Sequence, residues 1–295
     1  MTTRVGIIGL GLMGGSLGLA LKKNSNLIVC FGQDIQSKNV SYCINENIID
    51  KELTEQKIPQ MDFIIIAVPI KATPSVIEKI YPFLNKKKTI ISDMGSTKTF
   101  ICKHFRENYP DINFIAGHPM TGGEKSGARF ATADLYENQN YILIDNPDDY
   151  HSFAKSNLQK LKNLLQTTNC QFTCLSAAEH DRITALTSHL PHLASFSLMN
   201  IFANRQKYNK KSKTSFEQLQ ELIGPGFLDF TRISACEPSI WLDIFQTNRQ
   251  NITQLIDVYI DQLEEYKNAL KNKDNEKIDS LMQQARSQRK NLDYT

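Results

Sequence analysis

The feature that most constrains the fold of this chain is a glycine-rich turn near its amino terminus. Residues 4–21 read RVGIIGLGLMGGSLGLAL, in which an apolar run breaks at Gly9, Gly11 and Gly14 before a helical pattern begins. In a strand–turn–helix unit, the first glycine permits a tight bend, the second lets a pyrophosphate approach the backbone, and the third lets the helix pack on the strand. Free N–H groups at the start of the helix would face the phosphates. The predicted cofactor-binding turn comprises Gly9, Leu10, Gly11, Leu12, Met13 and Gly14.

Such a turn is a weak signal alone, because an ordinary glycine-rich turn or a signal peptide can carry the same pattern. A signal peptide does not fit, since glycines interrupt the apolar centre and two lysines follow it. A second apolar run, 27–31, leads to Asp34, about 20 residues beyond the glycines, as a dinucleotide site requires. A carboxylate there accepts hydrogen bonds from both ribose hydroxyls and repels a 2′-phosphate, which favours NAD over NADP. Asp34 could instead cap a helix, although Ser37 would serve equally well.

Composition excludes several classes of protein. The net charge of +3 on 295 residues offers no basic patch for nucleic acid. The longest unbroken apolar run, 63–69, is far too short to cross a bilayer. The six cysteines lack CxxC spacing and are expected to be reduced, packed thiols. We therefore expect a soluble, cytoplasmic protein, long enough for two domains.

Short β-rich runs alternate with helix-length segments over the first half of the chain. This alternation, with runs that are apolar at consecutive positions, predicts a doubly wound, mostly parallel sheet covered on both faces, that is, a Rossmann domain over 1–170. After the first strand the predicted strands are 27–31, 63–68, 89–93, 114–117, 141–144 and 171–174, and the predicted helices are 37–47, 74–84, 96–108 and 150–167. Ligands of such sheets lie beyond the carboxyl ends of the strands.

Several residues at these strand ends carry chemistry. Val68 and Pro69 would bring backbone close to the nucleotide, although a proline that simply ends a strand is an equal alternative. Ser96 lies at the next strand end, where a role in the site and a role as the cap of the following helix are equal alternatives. His118 follows the run at 114–117 and precedes a proline and several glycines, so it is a candidate to take the proton of an alcohol while a hydride leaves.

The second half of the chain, 171–295, is predicted to be helical. One long helix is expected over 176–205, beginning with a capping box at Ser176 and kinked at Pro191. His189 and His192 share one face of this helix, as a buried hydrogen-bonded pair or as a lining for an anionic ligand. A metal site is disfavoured there, because no further ligands occur at a matching spacing.

An arginine lies beyond the Gly-Pro turn at 224–225. Because arginine is rarely buried unpaired, Arg232 either pairs with an acid such as Asp229 or is kept for a carboxylate of the substrate. A last long amphipathic helix is predicted over 239–270, with a short helix after it. An elongated helical domain of this kind is typical of a dimer interface.

Taken in order, these motifs resemble those of the prephenate dehydrogenases of tyrosine biosynthesis, over nearly the whole chain. The pairing of a GHPM motif with an SHLPH motif is far more specific than the glycine turn. The motifs are GLGLMGGSL, the acid of GQDI at 32–35, Val68-Pro69, DMGSTK at 93–98, GHPM at 117–120 with EKSG at 124–127, SHLPH at 188–192, DFTR at 229–232, and Trp241.

The resemblance implies an NAD-dependent oxidative decarboxylation of prephenate to 4-hydroxyphenylpyruvate by a homodimer. It implies that His118 hydrogen-bonds the C4 hydroxyl and helps to remove its proton, with Ser96 beside both His118 and the nicotinamide, where it also contributes to cofactor binding. It also implies that His192 and Arg232 recognise substrate carboxylates and that Glu124 belongs to the same pocket, to which we also assign His189 and Asp229. Related arogenate dehydrogenases often lack the second histidine of SHLPH, so His192 favours prephenate over arogenate.

Two other functions share some of these features. A β-hydroxyacid dehydrogenase would share the two-domain shape, but no lysine lies in the long helix to act as its base. A silent NAD-binding scaffold would not need the set His118, His192 and Arg232. If tyrosine inhibits the enzyme, we expect it to compete at the active site.

Overall fold

The computed structural model describes residues 2–123, 125–204 and 215–292. The chain forms two compact units, with the boundary between Arg249 and Gln250. All six cysteines are unpaired, as predicted, and four of them are buried. Within the described residues, no helix combines the length and the apolar character that spanning a membrane requires.

The first unit is organised around a six-stranded sheet whose neighbouring strands are all parallel, which confirms the predicted Rossmann architecture. Its strand order is β3-β2-β1-β4-β5-β6. The strands are β1 (Thr3–Ile8), β2 (Ile28–Gln33), β3 (Lys51–Glu52), β4 (Phe63–Ile66), β5 (Ile90–Asp93) and β6 (Asn113–Phe114).

Helices cover both faces of this sheet, because its strands carry apolar side chains on both sides. Alternate residues of β4 divide between the two cores: Ile65 packs in one, and Ile64 and Ile66 in the other. The helices are α1 (Leu12–Asn24), α2 (Ser37–Asn45), α3 (Thr73–Ile80), α4 (Thr99–Asn108) and α5 (Lys155–Gln166). Residues of α1, α2 and α5 contribute to the first core, and residues of α3 and α4 to the second.

A second, three-stranded sheet was not predicted. It consists of β7 (Gly117–Pro119), β8 (Asn140–Ile144) and β9 (Gln171–Leu175), in which β7 and β8 are antiparallel and β8 and β9 are parallel. The predicted strand 114–117 is therefore wrong: the main sheet ends at Phe114, and a new strand begins at Gly117. His118 lies inside β7, opposite Ile142, rather than in irregular backbone beyond a strand end.

The helical part of the first unit begins at Ser176, whose side chain accepts a hydrogen bond from the Glu179 N–H. The single helix predicted over 176–205 is interrupted by a π-helical turn just before Pro191, which cannot donate a backbone hydrogen bond. The elements are α6 (Ala177–Thr184), the π-helical turn (Ala185–His189), α7 (Leu190–Ala203), α8 (Phe216–Glu221), α9 (Pro225–Thr231), a 3-10 turn (Arg232–Ala235) and α10 (Pro238–Thr247).

The predicted helix 239–270 is also two helices, because the helical conformation is interrupted at Asn248, between α10 and α11 (Arg249–Asn272). The second unit contains α11 from Gln250 onward and α12 (Asn275–Leu292). These two helices are joined by an ion pair between Lys277 and Glu265. They also expose large apolar side chains, at Val258, Ile260, Leu263, Leu270, Met282 and Leu292.

Candidate active site

The glycine turn joins β1 to α1, and its three glycines have different surroundings. Gly9 has a φ of +97°, and a Cβ atom there would lie 2.5 Å from the carbonyl oxygen of Ala67. A Cβ on Gly14 would lie 1.9 Å from the Gly9 carbonyl oxygen, so this glycine lets the helix pack on the strand. A Cβ on Gly11 would meet nothing within 4 Å. The protein itself does not need a glycine at position 11, which leaves the approach of a ligand as its reason.

The amino terminus of α1 suits an anion. Gly11 is the N-cap residue and offers no side-chain cap, and the first turn contains no acidic residue. The N–H groups of Leu12 and Met13 belong to this first turn, where an α-helix leaves its donors unpaired. A pyrophosphate would satisfy these donors and the positive end of the helix dipole.

Asp34, just beyond β2, is held against the glycine turn. Its Oδ2 atom accepts a hydrogen bond from the Leu10 N–H at 2.9 Å, and its Oδ1 atom accepts from the Gln36 N–H and the Asn39 amide. Helix α2 has Gln36 rather than Asp34 or Ser37 as its N-cap. The carboxylate is therefore fixed beside the turn and keeps acceptor capacity for ribose hydroxyls.

Val68 and Pro69 follow β4 at the same edge of the sheet. The Val68 side chain lies 2.9 Å from the position that a Cβ of Gly9 would take. Together with the open space at Gly11 and the fixed carboxylate of Asp34, these residues fit a bound NAD.

Ser96 lies in the loop between β5 and α4 and is half-buried. Because α4 begins at Thr99, Ser96 does not cap it. The cap comes instead from a distant residue: the Asp181 carboxylate accepts the Lys98 and Thr99 N–H groups at 2.7 and 2.9 Å. The alternative that Ser96 serves as a helix cap is thereby removed.

A fully buried ion pair links this loop to the second sheet. The Lys98 ammonium donates to the Asp93 carboxylate at 2.5 Å and to the Gly117 carbonyl oxygen at 2.6 Å. Asp93 also accepts the Gly95 and Gly117 N–H groups, at 2.9 and 3.3 Å. These bonds fix the backbone immediately before His118, so the pair positions that side chain.

The centre of the site consists of three side chains that are hydrogen-bonded in sequence. The His118 Nδ1 atom lies 2.8 Å from the His180 Nε2 atom, and the His180 Nδ1 atom lies 2.8 Å from an Asp181 carboxylate oxygen. His180 and Asp181 are fully buried in α6. Burial opposes ionisation of Asp181, but the hydrogen bonds from His180, Thr99 and Lys98 prevail and lower its pKa.

These hydrogen bonds determine which ring nitrogen of His180 and of His118 carries the proton. The ionised Asp181 only accepts, so His180 donates from Nδ1 and carries a lone pair on Nε2. His118 must then donate from Nδ1, and its own lone pair lies on Nε2. Burial, followed by the nearby His180, Lys98 and His189 side chains, holds the pKa of His118 well below its usual value. His118 is thus neutral at neutral pH, with a basic nitrogen available to a substrate.

His189, in the π-helical turn, is held by an amide. The Asn248 side chain donates to the Asp181 carbonyl oxygen at 2.7 Å and lies 3.1 Å from the His189 Nδ1 atom. The amide nitrogen is a donor, so His189 accepts at Nδ1 and carries its proton on Nε2. Burial lowers the pKa of His189 to about 4, which makes it a neutral donor.

His192 lies one turn further, on α7, where its ring stacks on Trp241. The ring centroids are 3.6 Å apart, and the Nδ1 atom lies 2.8 Å from the Ser188 carbonyl oxygen. Burial lowers the pKa of His192; the bond to Ser188 opposes this, and the positive charge of Arg232 adds to it. Arg232 is exposed at the start of the 3-10 turn and is close enough to His192 to act on its charge.

Most of the predicted site residues fall into these two groups, one around the glycine turn and one around the histidines. His189 and His192 are not bonded to each other; each contacts Trp241 and has its own hydrogen-bond partner. Asp229 is exposed on α9. Glu124 lies outside the described residues. His180, Asp181 and Asn248 were missed by the sequence analysis.

Comparison with known proteins identifies one family over most of the chain. The family model "Prephenate dehydrogenase, nucleotide-binding domain" matches residues 17–174, and "Prephenate dehydrogenase, dimerization domain" matches residues 176–284. The chain is 30% identical to a prephenate dehydrogenase of Bacillus subtilis, over 97% of this chain and 75% of the relative. It is 28% identical to a cyclohexadienyl dehydrogenase of Zymomonas mobilis, over 92% of this chain and 89% of that one.

Solved structures show the same similarity. The Aquifex aeolicus prephenate dehydrogenase, in complex with hydroxyphenyl propionate and NAD+, superposes with a TM-score of 0.87 at 25% identity and covers 99% of both chains. The fold is also that of Synechocystis arogenate dehydrogenase, with a TM-score of 0.82 at 23% identity, covering 98% of this chain and 100% of that one.

Proposed function

The chain belongs to the prephenate dehydrogenase family, and we propose that it converts prephenate and NAD to 4-hydroxyphenylpyruvate, CO2 and NADH. The observation that carries this proposal is the hydrogen-bonded chain from Asp181 through His180 to His118. It leaves a basic nitrogen in the same unit as the glycine turn. An alcohol oxidation needs such a group.

The glycine turn and Asp34 would hold NAD, which would supply the acceptor for the hydride from C4 of the substrate. The chain's own residues supply the rest of the chemistry. His118 takes the proton of the C4 hydroxyl at Nε2, and its imidazolium is stabilised through His180 by the Asp181 carboxylate. As the ring carboxylate leaves as CO2 and the ring becomes aromatic, the same oxygen recovers a proton. His118 therefore acts first as a base and then as an acid, which contributes roughly 10²–10⁴-fold to the rate.

The side chains of His189, His192 and Arg232 are suited to a doubly negative substrate. We assign the substrate carboxylates to His192 and Arg232, with Ser96 beside the reacting hydroxyl and with His189 and Asp229 in the same pocket. Two observations support this. The positive charge of Arg232 contributes to the lowered pKa of His192, and the His192 ring stacks on the face of the Trp241 ring. Correct orientation of the ring and the nicotinamide lowers the barrier by up to about 7–11 kcal/mol.

We propose a nucleotide-binding domain over 1–170, a helical domain over 171–295 and a homodimeric assembly. The matched dimerization-domain model and the exposed apolar side chains of α11 and α12 support the dimer. The cytoplasmic location and competitive inhibition by tyrosine stay predictions.

A spectroscopic assay tests the function. Incubation of the protein with prephenate and NAD should produce NADH absorbance and 4-hydroxyphenylpyruvate. The same assay with arogenate should be slower, and NADP should replace NAD poorly. Absence of NADH from prephenate, in a sample that binds NAD, would overturn the proposal. A faster reaction with arogenate would change the substrate and leave the reaction class.

A further inference from the structure

The inference concerns the proton on His192. Its Nδ1 atom lies 2.8 Å from the Ser188 carbonyl oxygen, one helical turn earlier. A carbonyl oxygen only accepts hydrogen bonds, so the imidazole donates from Nδ1. Within the described ranges, no partner is found for the other nitrogen, Nε2, and this atom is not buried.

This bond restricts what His192 can offer a ligand. While the ring is neutral, its proton is on Nδ1 and Nε2 presents a lone pair. A lone pair repels a carboxylate oxygen, which also presents lone pairs. A carboxylate can bond to Nε2 only when that nitrogen is protonated, that is, when the ring is an imidazolium.

The surroundings keep the ring neutral until a ligand arrives. Burial and the Arg232 charge lower the pKa of His192. The other elements packed on α7 contribute the ionisable groups His189, which is neutral, Asp229 on α9, and Asp243 on α10, which is paired with Lys71. An arriving carboxylate would reverse this balance, because it would face both Arg232 and Nε2.

We infer that His192 takes up a proton from solvent when a substrate carboxylate binds, and that substrate binding is thereby coupled to the uptake of about one proton. The inference rests on the proposed function, because that function brings the carboxylate to His192. Trp241 fits this role, since its ring face stacks on the imidazole and favours a cation there. The neighbouring His189 lacks the capacity, because its Nδ1 is committed to accepting from Asn248.

The test measures protons during binding without turnover. Prephenate is titrated calorimetrically into the NADH-loaded protein, a complex that cannot react because the nicotinamide is already reduced. The titration is repeated at pH 7.5 in two buffers of different ionisation enthalpy. We expect the observed binding heats to differ by the difference between the two buffer ionisation enthalpies, which corresponds to the uptake of about one proton per site. This uptake should decrease toward pH 5.

Variants locate the proton. His192→Gln should bind prephenate more weakly and without proton uptake, whereas His192→Lys, which is charged beforehand, should bind without uptake and with little dependence on pH. His151→Gln, at an exposed position shortly before α5, should behave as the unaltered protein. Binding without uptake, or equal uptake in His192→Gln, would overturn the inference and leave the proposed function. Absence of any binding heat, together with absence of NADH formation in the assay, would overturn both.

Discussion

The His118 Nδ1 and His180 Nε2 atoms lie 2.8 Å apart, so one hydrogen bond joins the two imidazoles. His118 is on β7 and His180 is on α6, 62 residues later in the chain. The bond therefore joins the small second sheet to the first helix of the helical half. It makes the protonation of His118 depend on His180.

The variant His180→Asn tests this dependence. The proton of His118 would no longer be held on Nδ1, and we expect kcat to fall by about 10- to 100-fold. Without His180 the Asp181 carboxylate no longer stabilises the His118 imidazolium, so the pKa of His118 should fall further and the acid limb of kcat should move toward lower pH. In the unaltered protein, kcat should stay level as the pH falls from about 8 to 6.5, because the neutral form of His118 in the substrate complex is the active one. An unchanged pH profile in the variant would contradict the role of His180.

The variant His118→Asn removes the base itself. We expect kcat to fall by roughly 10²–10⁴-fold, whereas the dissociation constant of NAD should stay the same. Steady-state kinetics and calorimetric titration with NAD provide the two measurements. Turnover close to normal would remove His118 from the mechanism.

Two glycine variants separate folding from cofactor binding. Gly11→Ala places a methyl group in open space at a φ of −78°, so thermal stability should be unchanged while the dissociation constant of NAD rises roughly tenfold or more. Gly14→Ala places its methyl group 1.9 Å from the Gly9 carbonyl oxygen and should lower the melting temperature. Normal NAD affinity in Gly11→Ala would show that nothing approaches the backbone there.

Loss of the buried Lys98 charge should destabilise the fold. Lys98→Met leaves the Asp93 carboxylate buried without its partner, which costs about 3–5 kcal/mol in the free energy of unfolding. The double variant with Asp93→Asn should recover part of this loss. Urea denaturation monitored by circular dichroism gives both values, and additive effects of the two substitutions would argue against a coupled pair.

Arg232→Ala should act on substrate binding. Loss of a charge-assisted hydrogen bond to a carboxylate should raise the KM for prephenate by about 10- to 100-fold, with a smaller change in kcat. Arg182→Ala is the matched control, because Arg182 is exposed and pairs with Glu179 on the same helix. An unchanged KM in the Arg232 variant would remove it from carboxylate recognition.

The sheet was predictable because its signals are local. Glycines followed by helical periodicity define β1 and α1, and consecutive apolar residues indicate strands covered on both faces, such as β4. The second sheet was not predictable in this way, since β7 is only three residues long and exists through its pairing with β8. Pairing partners are not visible in a single sequence.

The candidate site was predicted in part for the same reason. His118, His189 and His192 each lie within two residues of a proline, whereas His180 and Asp181 lie inside an ordinary helical pattern. Their importance comes from contacts across 62 to 83 residues of chain, such as the Asp181 bonds to Lys98 and Thr99. The nearest signal was the capping box at Ser176, which fixes where α6 begins.

The π-helical turn at Ala185–His189 sets the direction in which the side chains of α7 point. A turn of this kind contains one residue more than an α-helical turn, and each residue corresponds to about 100° of rotation. If one residue were deleted there, the regular helix would be restored and α7 would rotate by that angle. His192 would then turn away from the face of Trp241, although neither residue had been changed.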